Sequence, residues 1–415
     1  MKITQTATLM LLATTASLAA LQPANALEAQ AFVDRVAAVY KHIGYDLKFG
    51  PATLDGDTVT VDGVTIGLAG MDGEDMSFKA DTELTFSGVT EREDGAYFVD
   101  SLAIPDIDAP IEAEPAGHIS LVDISLDGLY IPAGDTVPAS ELLQLVGSIS
   151  TGALSVERDG KEVVSVDSME AASTFNPEQG SDALVDLAST LAISGISVDL
   201  SSVGEDDPAA GATIDGLGLT TVTGDITQNL NWSMADGHMV MDEFLFDFAD
   251  VGALNIALDA SGLTPTVLDQ LYAMQSTMAE GGGELTAEQQ QAQMMSGMAL
   301  MQGVSITSAS LRYDDASLAG KLLDFYAEQS GTDRATFVEG LKSALPSILA
   351  GSGIPALNDV VIPPVEAFLD DPQSIELAVA PPSPTSILVL MAAAANPAGL
   401  ITALNLTLTA NEAAE

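Results

Sequence analysis

The dipeptide Asp-Gly occurs eight times in this chain, at 55–56, 62–63, 72–73, 94–95, 127–128, 159–160, 215–216 and 236–237. Asp-Gly favours the positive φ angles of a type I′ turn, whose twist matches two antiparallel strands, so its recurrence predicts a succession of hairpins. The run Thr58–Ile66 shows the logic. Folded as a two-residue hairpin at Asp62-Gly63, it sets Val61 opposite Val64 and Val59 opposite Ile66, all four on one side. Read as one straight strand, its apolar positions change faces at Asp62. The same pairing sets Ile214 opposite Leu217 and Met234 opposite Met239. Other runs alternate with period two: Met76, Phe78, Ala80, Leu84 and Phe86; Phe244, Phe246 and Phe248; Leu254, Ile256 and Leu258. The residues between them are mostly Ser, Thr, Asp and Glu, the pattern of antiparallel strands with one wet face.

A short amphipathic helix precedes these strands, with Phe32, Val33, Val36, Val39 and Tyr40 at helical spacing before Gly44. From Thr264 the texture changes. Thr266–Met278 and the Gln- and Met-rich Thr286–Gln302 read as helices around a Gly281-Gly282-Gly283 loop, and Val304–Tyr313 returns to strand. Asp315 is placed to cap a helix carrying Leu318, Leu322 and Phe325 that stops at Gly331. A further helix with Phe337, Leu341 and Leu345 is crossed by Pro346. Pro363-Pro364 leads into a short helix ending near Asp370. Ile375–Val379 and Leu404–Thr409 read as strands, on either side of an extended spacer at Pro381–Pro384. The fold class expected is α+β, mainly β. A long antiparallel β-meander over 27–265, a curved sheet or a sandwich, is followed by an α+β C-terminal region over 266–415.

Composition limits the functions open to such a fold. The 415 residues carry 12 Lys+Arg against 60 Asp+Glu, a formal charge of −48, yet 47% are hydrophobic. That much apolar material is foreign to a disordered acidic tail. So few bases leave no surface to release counterions from a polyphosphate or to hold anionic headgroups, which argues against nucleic-acid partners. The absence of Cys removes disulfides, thiolate nucleophiles and Cys-ligated metals. Lys2, the apolar stretch Ala7–Leu21 and Ala24-Asn25-Ala26 have the order of a secretory signal peptide cleaved after Ala26. A bacterial periplasm is the expected location, with secretion as the alternative. Ile387–Ala395 is too short to span a bilayer, so no transmembrane segment is expected in the mature chain.

Chemistry-bearing motifs are sparse. His42, His118 and His238 are far apart and none sits at metal-ligand spacing; His238, beside Asp236-Gly237, is the one plausible base for a hydrolase. The acid groups Asp55/Asp57, Asp72/Glu74/Asp75, Glu205/Asp206/Asp207 and Asp314/Asp315 suggest calcium, but each supplies two or three of the six to eight oxygens that ion needs. Met295, Met298 and Met301, with Met294 beside them, have the spacing of thioether ligands for Cu(I). A helix would place Met294, Met298 and Met301 on one side, where they could equally fill an adaptable apolar groove.

The opening Phe32-Val33-Asp34-Arg35, Gly44-Tyr45-Asp46 and Gly56-Asp57-Thr58-Val59-Thr60-Val61 resemble uncharacterised exported proteins of Gram-negative envelopes. Asp250-Val251-Gly252-Ala253-Leu254 and Leu311-Arg312-Tyr313-Asp314-Asp315-Ala316-Ser317-Leu318 are similar, more distantly, to AsmA-like and YdgA-like envelope proteins. That resemblance implies an elongated, curved β-sheet with an apolar inner surface, linked to lipid or outer-membrane homeostasis. It carries over no catalytic residue. The chain departs from those proteins in its acidity and in lacking an uncleaved anchor. The leading expectation is therefore a non-enzymatic periplasmic protein, without cofactor, whose apolar sheet surface or groove takes a lipid-like ligand or an envelope protein. Phe244, Phe246, Phe248, Met294, Met298 and Met301 are its candidate contacts. A metal-binding module through Met295, Met298 and Met301 or the acid clusters, and a hydrolase, are the alternatives.

Overall fold

The protein's structure, a computed structural model, describes residues 27–68, 78–111, 116–134, 137–176, 186–280, 287–351, 354–394 and 397–413. The segment 1–26, the turn Asp72-Gly73, the acid group Asp72/Glu74/Asp75, Met76 and Gly281-Gly282-Gly283 lie outside the described residues.

Helix α1 (Ala29–His42) is followed by β1 (Tyr45–Phe49), β2 (Ala52–Asp55), β3 (Thr58–Leu68), β4 (Phe78–Ser87), β5 (Thr90–Glu91), β6 (Tyr97–Ile104), β7 (Ile107–Ile111), β8 (Gly117–Leu121) and β9 (Ile124–Ile131). After α2 (Ala139–Leu142) come β10 (Ser148–Thr151), β11 (Leu154–Arg158), β12 (Lys161–Val166), β13 (Ser168–Asn176) and β14 (Asp186–Asp199). The short helices α3 (Val203–Asp206) and α4 (Pro208–Leu217) lead to β15 (Thr221–Ser233), β16 (His238–Phe248) and β17 (Gly252–Ser261). The remainder is α5 (Pro265–Glu280), α6 (Ala287–Gly303), β18 (Ser305–Asp315), α7 (Leu318–Gln329), α8 (Arg334–Ala350) and α9 (Leu357–Asp370). The chain ends in β19 (Ser374–Val379), β20 (Thr385–Ser386), α10 (Ile387–Ala394), α11 (Pro397–Leu404) and β21 (Thr407–Ala410).

Strand residues outnumber helix residues, 45% to 32%, and the 21 described strands form one antiparallel sheet that does not close into a barrel. Through its hydrogen-bonded neighbours the sheet runs β1 and β2, β3, β4, β6, β9, β10, β13, β14, β15, β16, β17, β18, β19, β21. A branch leaves the end of β14 through β12, β11, β8 and β7. The helices are mainly C-terminal, so the mainly β, α+β class read from the sequence is observed. The sheet continues past residue 265, because β17 pairs along its length with β18.

Two apolar clusters anchor it. In the first, Phe32, Val33, Val36 and Val39 of α1 bury against Val59, Val61, Val64, Leu84, Phe86, Tyr97, Val99, Leu129 and Ile131. The helical spacing seen in the sequence thus puts one stripe of α1 on the sheet. The second is smaller: Leu187, Trp232 and Met234, with Leu263, just before α5, and Leu268 in its first turn packed on them. The Trp232 indole N–H donates to the Leu263 carbonyl at 2.9 Å, fixing that contact.

The Asp-Gly sites divide by context. Asp159-Gly160 is a two-residue hairpin loop between paired Arg158 and Lys161, with φ of 53° and 71°, as a type I′ turn requires. Sites 55–56 and 94–95 also join adjacent strands. Asp236-Gly237 closes a hairpin too, but its loop has four residues: Ser233 pairs with His238 and Trp232, not Met234, faces Met239.

Three sites correct the expectation. Asp62-Gly63 is inside β3, which stays one strand along β1 and β2. The phase problem at Asp62 is real, but Gly63, at φ 85°, and a register shift against β4 solve it, leaving Val59, Val61 and Val64 buried. A side chain at Gly50 would collide with the Asp62 carbonyl, so glycine there lets β1 and β2 follow β3 without a break. Asp127-Gly128 likewise sits within β9. Asp215-Gly216 is in α4, so Ile214 and Leu217 are not a strand pair. That helix has its own signals: the Asp207 carboxylate accepts from the Ala209 and Ala210 amides, Pro208 opens the first turn, and Gly218 ends it in the left-handed region. Pro363 and Pro364, expected ahead of a helix, lie inside α9.

The α8 cap is pH-sensitive in a stated direction. Asp333 accepts from the Thr336 amide at 2.9 Å and its hydroxyl at 3.0 Å, and these bonds hold its carboxyl below the usual range. Its contribution to stability is therefore present above the ordinary carboxylate pKa, about 4, and is lost as pH falls through the lowered folded value. The wild type should lose more stability than Asp333→Asn between neutral pH and about pH 3, read by urea unfolding across pH. Equal losses would dismiss the cap as an acid-sensitive element.

Candidate functional site: an open apolar sheet face

Residues directly opposite in an antiparallel pair share a face of the sheet. Following the pairs from β13 to β21 gives Met169, Ile193, Ile226, Phe246, Leu254, Tyr313, Ile375 and Ala410, an apolar ladder across eight strands. At about 4.8 Å per strand it spans roughly 34 Å. Two residues along, on the same face, Ile256, Leu311, Leu377 and Leu408 form a second ladder. Beyond a register shift in β16, Phe244, Gln228, Leu191, Ala171, Ile149 and Leu126 line up toward β9.

One residue off the first ladder, on the opposite face, stand Glu170, Ala192, Thr227, Leu245, Asn255, Arg312, Glu376 and Thr409. The sheet is thus apolar on one side and chiefly polar on the other.

The apolar side is not a closed core. Every member of the first ladder is only half-buried. Ile149, Leu311 and Leu377 remain 42%, 43% and 42% exposed. Flanking strands shield a sheet residue sideways, so half-burial is what remains when nothing lies over the face. An apolar strip some 34 Å long, doubled by a second row over β17, β18, β19 and β21, matches the size, a few hundred Å², at which surface patches mark binding sites.

The strip is held in register. The Tyr313 hydroxyl donates to the Val251 carbonyl at 2.7 Å and lies 2.8 Å from the Asp315 carboxylate, which also caps α7 through the Ala319 amide. Burial, then the neighbouring Asp315, push the Tyr313 phenol above its ordinary pKa, so it stays a neutral donor. On the polar side Arg312 forks onto Asp314 at 2.6 and 2.8 Å and reaches Glu376 and the Glu412 carbonyl, tying β18, β19 and the C-terminal end together.

Of the sequence candidates, Phe244, Phe246 and Phe248 belong to this face, the first two with ring centroids 4.6 Å apart. The methionines are elsewhere: α6 packs against α5, α10 and β20, next to the start of β18, whereas Phe248 pairs with Gly252 at the opposite strand end. Met294, Met295 and Met298 are exposed and Met301 is half-buried. Met294, Met298 and Met301 therefore do not join the phenylalanines in one site.

His238 lies on the polar side, its Nε2 2.9 Å from the Asp259 carboxylate, at the edge of an open groove of about 460 Å³ with Trp232 and Asp186. His118 makes the same kind of cross-strand contact, 2.7 Å to Asp108. Asp314 is engaged by Arg312 and Asp315 by Tyr313 and α7. Among the described residues, no three His, Asp or Glu side chains are gathered to hold a metal ion.

What the sequence reading missed is the breadth of the face. Leu311, Leu377, Ile193 and Met169 join it only through pairing across many strands, and the available signal was their shared parity with Phe246 along each strand.

Fold and site together define a one-sided antiparallel sheet with an open apolar face. Residues 245–411 match a family model described as an uncharacterized protein, and no curated protein matches the chain. The matched stretch runs from within β16 to just past β21 and so includes the half of the face built by β17, β18, β19 and β21. No described helix is long and apolar enough to cross a membrane.

Proposed function

We propose that this is a non-enzymatic protein of the periplasm whose apolar sheet face holds a lipid-like ligand. The observation that carries this reading is the eight-strand ladder from Met169 to Ala410, apolar throughout, with Leu311 and Leu377 exposed beside it. An acyl chain laid along it gains about 25 cal/mol per Å² of apolar surface removed from water and needs no charged partner. That suits a face without a basic residue to grip a headgroup. The AsmA-like resemblance supports the same reading, as does the secretory pattern at Met1–Ala26.

The test is native mass spectrometry of protein purified from its own envelope, with titration of a fluorescent fatty acid. Saturable binding and co-purifying lipid are expected. Leu311→Glu and Leu377→Glu, both at exposed positions, should leave folding intact while weakening binding at least tenfold, since each puts a charge under the bound chain. Protein that carries no lipid and shows no saturable uptake overturns the proposal.

A further inference from the structure

We propose that α6 and α10 form a docking surface for the uncharged, zwitterionic surface of a lipid bilayer. Two stretches of this acidic chain carry no charged residue at all, Gln289–Leu311 and Leu377–Asn411. Charged residues are 17% of the whole, so 58 positions would ordinarily hold about ten. The fold brings the two stretches together. β18 pairs with β19 and β20, and α10 packs on α6 and β20.

Large apolar side chains stand exposed on both helices, among uncharged polar ones on α6. α10 has the sequence Ile-Leu-Val-Leu-Met-Ala-Ala-Ala, hydrophobic on every side, which in a water-soluble protein belongs in a core. Yet Val389 and Met391 are 53% and 57% exposed, and Met294 and Met295 on α6 are 60% and 59% exposed.

Charge identifies the occupant. A protein partner brings a polar, partly charged rim that asks for complementary charges, and none stand in these stretches. A second copy brings another −48. Phosphatidylcholine-type headgroups have no net charge, and flexible thioethers adapt to an irregular acyl surface. The site also adjoins the end of the apolar face, since Ile306 pairs with both Thr385 of β20 and Ala260 of β17. Docking through these helices does not depend on the sheet holding a ligand.

The cysteine-free chain offers an unambiguous probe. Met391→Cys is labelled with an environment-sensitive nitrobenzoxadiazole dye, with Asn229→Cys on the polar face as control, and phosphatidylcholine vesicles are added to the full chain. The label at 391 should brighten several-fold and shift to the blue, while that at 229 stays unchanged. Replacing half the lipid by phosphatidylglycerol should weaken the response at low salt, with recovery as salt screens the repulsion. In flotation with the same vesicles, Val389→Asp/Met391→Asp should lose at least tenfold in binding while the Trp232 emission of the free protein stays native. No response at 391 overturns the proposal. So does a response that appears without vesicles and tracks self-association by sedimentation, because the occupant is then a second copy.

Discussion

Replacing Phe32 by alanine should lower stability by about 3–5 kcal/mol, the range for emptying an aromatic site in a packed core. Phe32 is fully buried and meets two rings edge-on, Phe86 at 5.2 Å and Tyr97 at 5.3 Å. The cavity would open where α1 is held to the sheet, and the stiff strands beneath cannot collapse into it. Phe32→Leu, which keeps most of the volume, should cost less than half as much. The measurement is urea unfolding followed by far-ultraviolet circular dichroism, with Trp232 fluorescence alongside. Trp232 belongs to the second cluster, so its transition should move less than the dichroism. A loss below about 1 kcal/mol would show that α1 is not part of the cooperative core.

Arg312→Ala should cost about 1.5–3 kcal/mol, because it removes the hydrogen bonds of a largely buried guanidinium to carboxylates that keep part of their hydration. The Arg312 side chain is 11% exposed and makes four hydrogen bonds, two to Asp314, one to Glu376 and one to the Glu412 carbonyl. The bonds to Asp314, then those to Glu376, hold its pKa above the ordinary value. Without the guanidinium, Glu376 on the middle of β19 loses its counter-charge and the end of the chain loses its tie. β21, at the edge of the sheet, should then become sensitive to limited proteolysis near Leu404–Leu406. Arg312→Lys keeps the charge but not the planar fork, and should recover less than half of the loss. Because the group is shielded from solvent, the effect should change little between low and high salt. A cost below 1 kcal/mol with an intact β21 would show that the main-chain ladder alone holds that edge.

The acids, so prominent in composition, have a modest place in the structure. They stand at turns, at caps such as Asp207 and Asp333, and on the wet side of strands. Their absence from Gln289–Leu311 and Leu377–Asn411 is more informative than their abundance elsewhere.

The sequence by itself determined what depends on near neighbours. Helix α1 was legible because its apolar stripe recurs at helical spacing, and the Asp159-Gly160 hairpin because both turn residues adopt positive φ. The one-sided strands were legible because side chains alternate whatever the partner. Tertiary structure decided the rest. Asp62-Gly63 and Asp159-Gly160 are the same dipeptide, yet one stays within a strand and the other ends it. The difference lies in β1 and β2, whose Gly50-Pro51 junction meets Asp62-Gly63 by hydrogen bonds at 2.9 and 3.2 Å and keeps β3 extended. Likewise Phe246 could be read as a face residue, but not that Met169 and Ile375 stand in line with it. That row depends on the register of eight strands, set pair by pair across turns, loops and whole helices, as where Leu254 meets Tyr313 and Tyr313 meets Ile375, which no local pattern encodes.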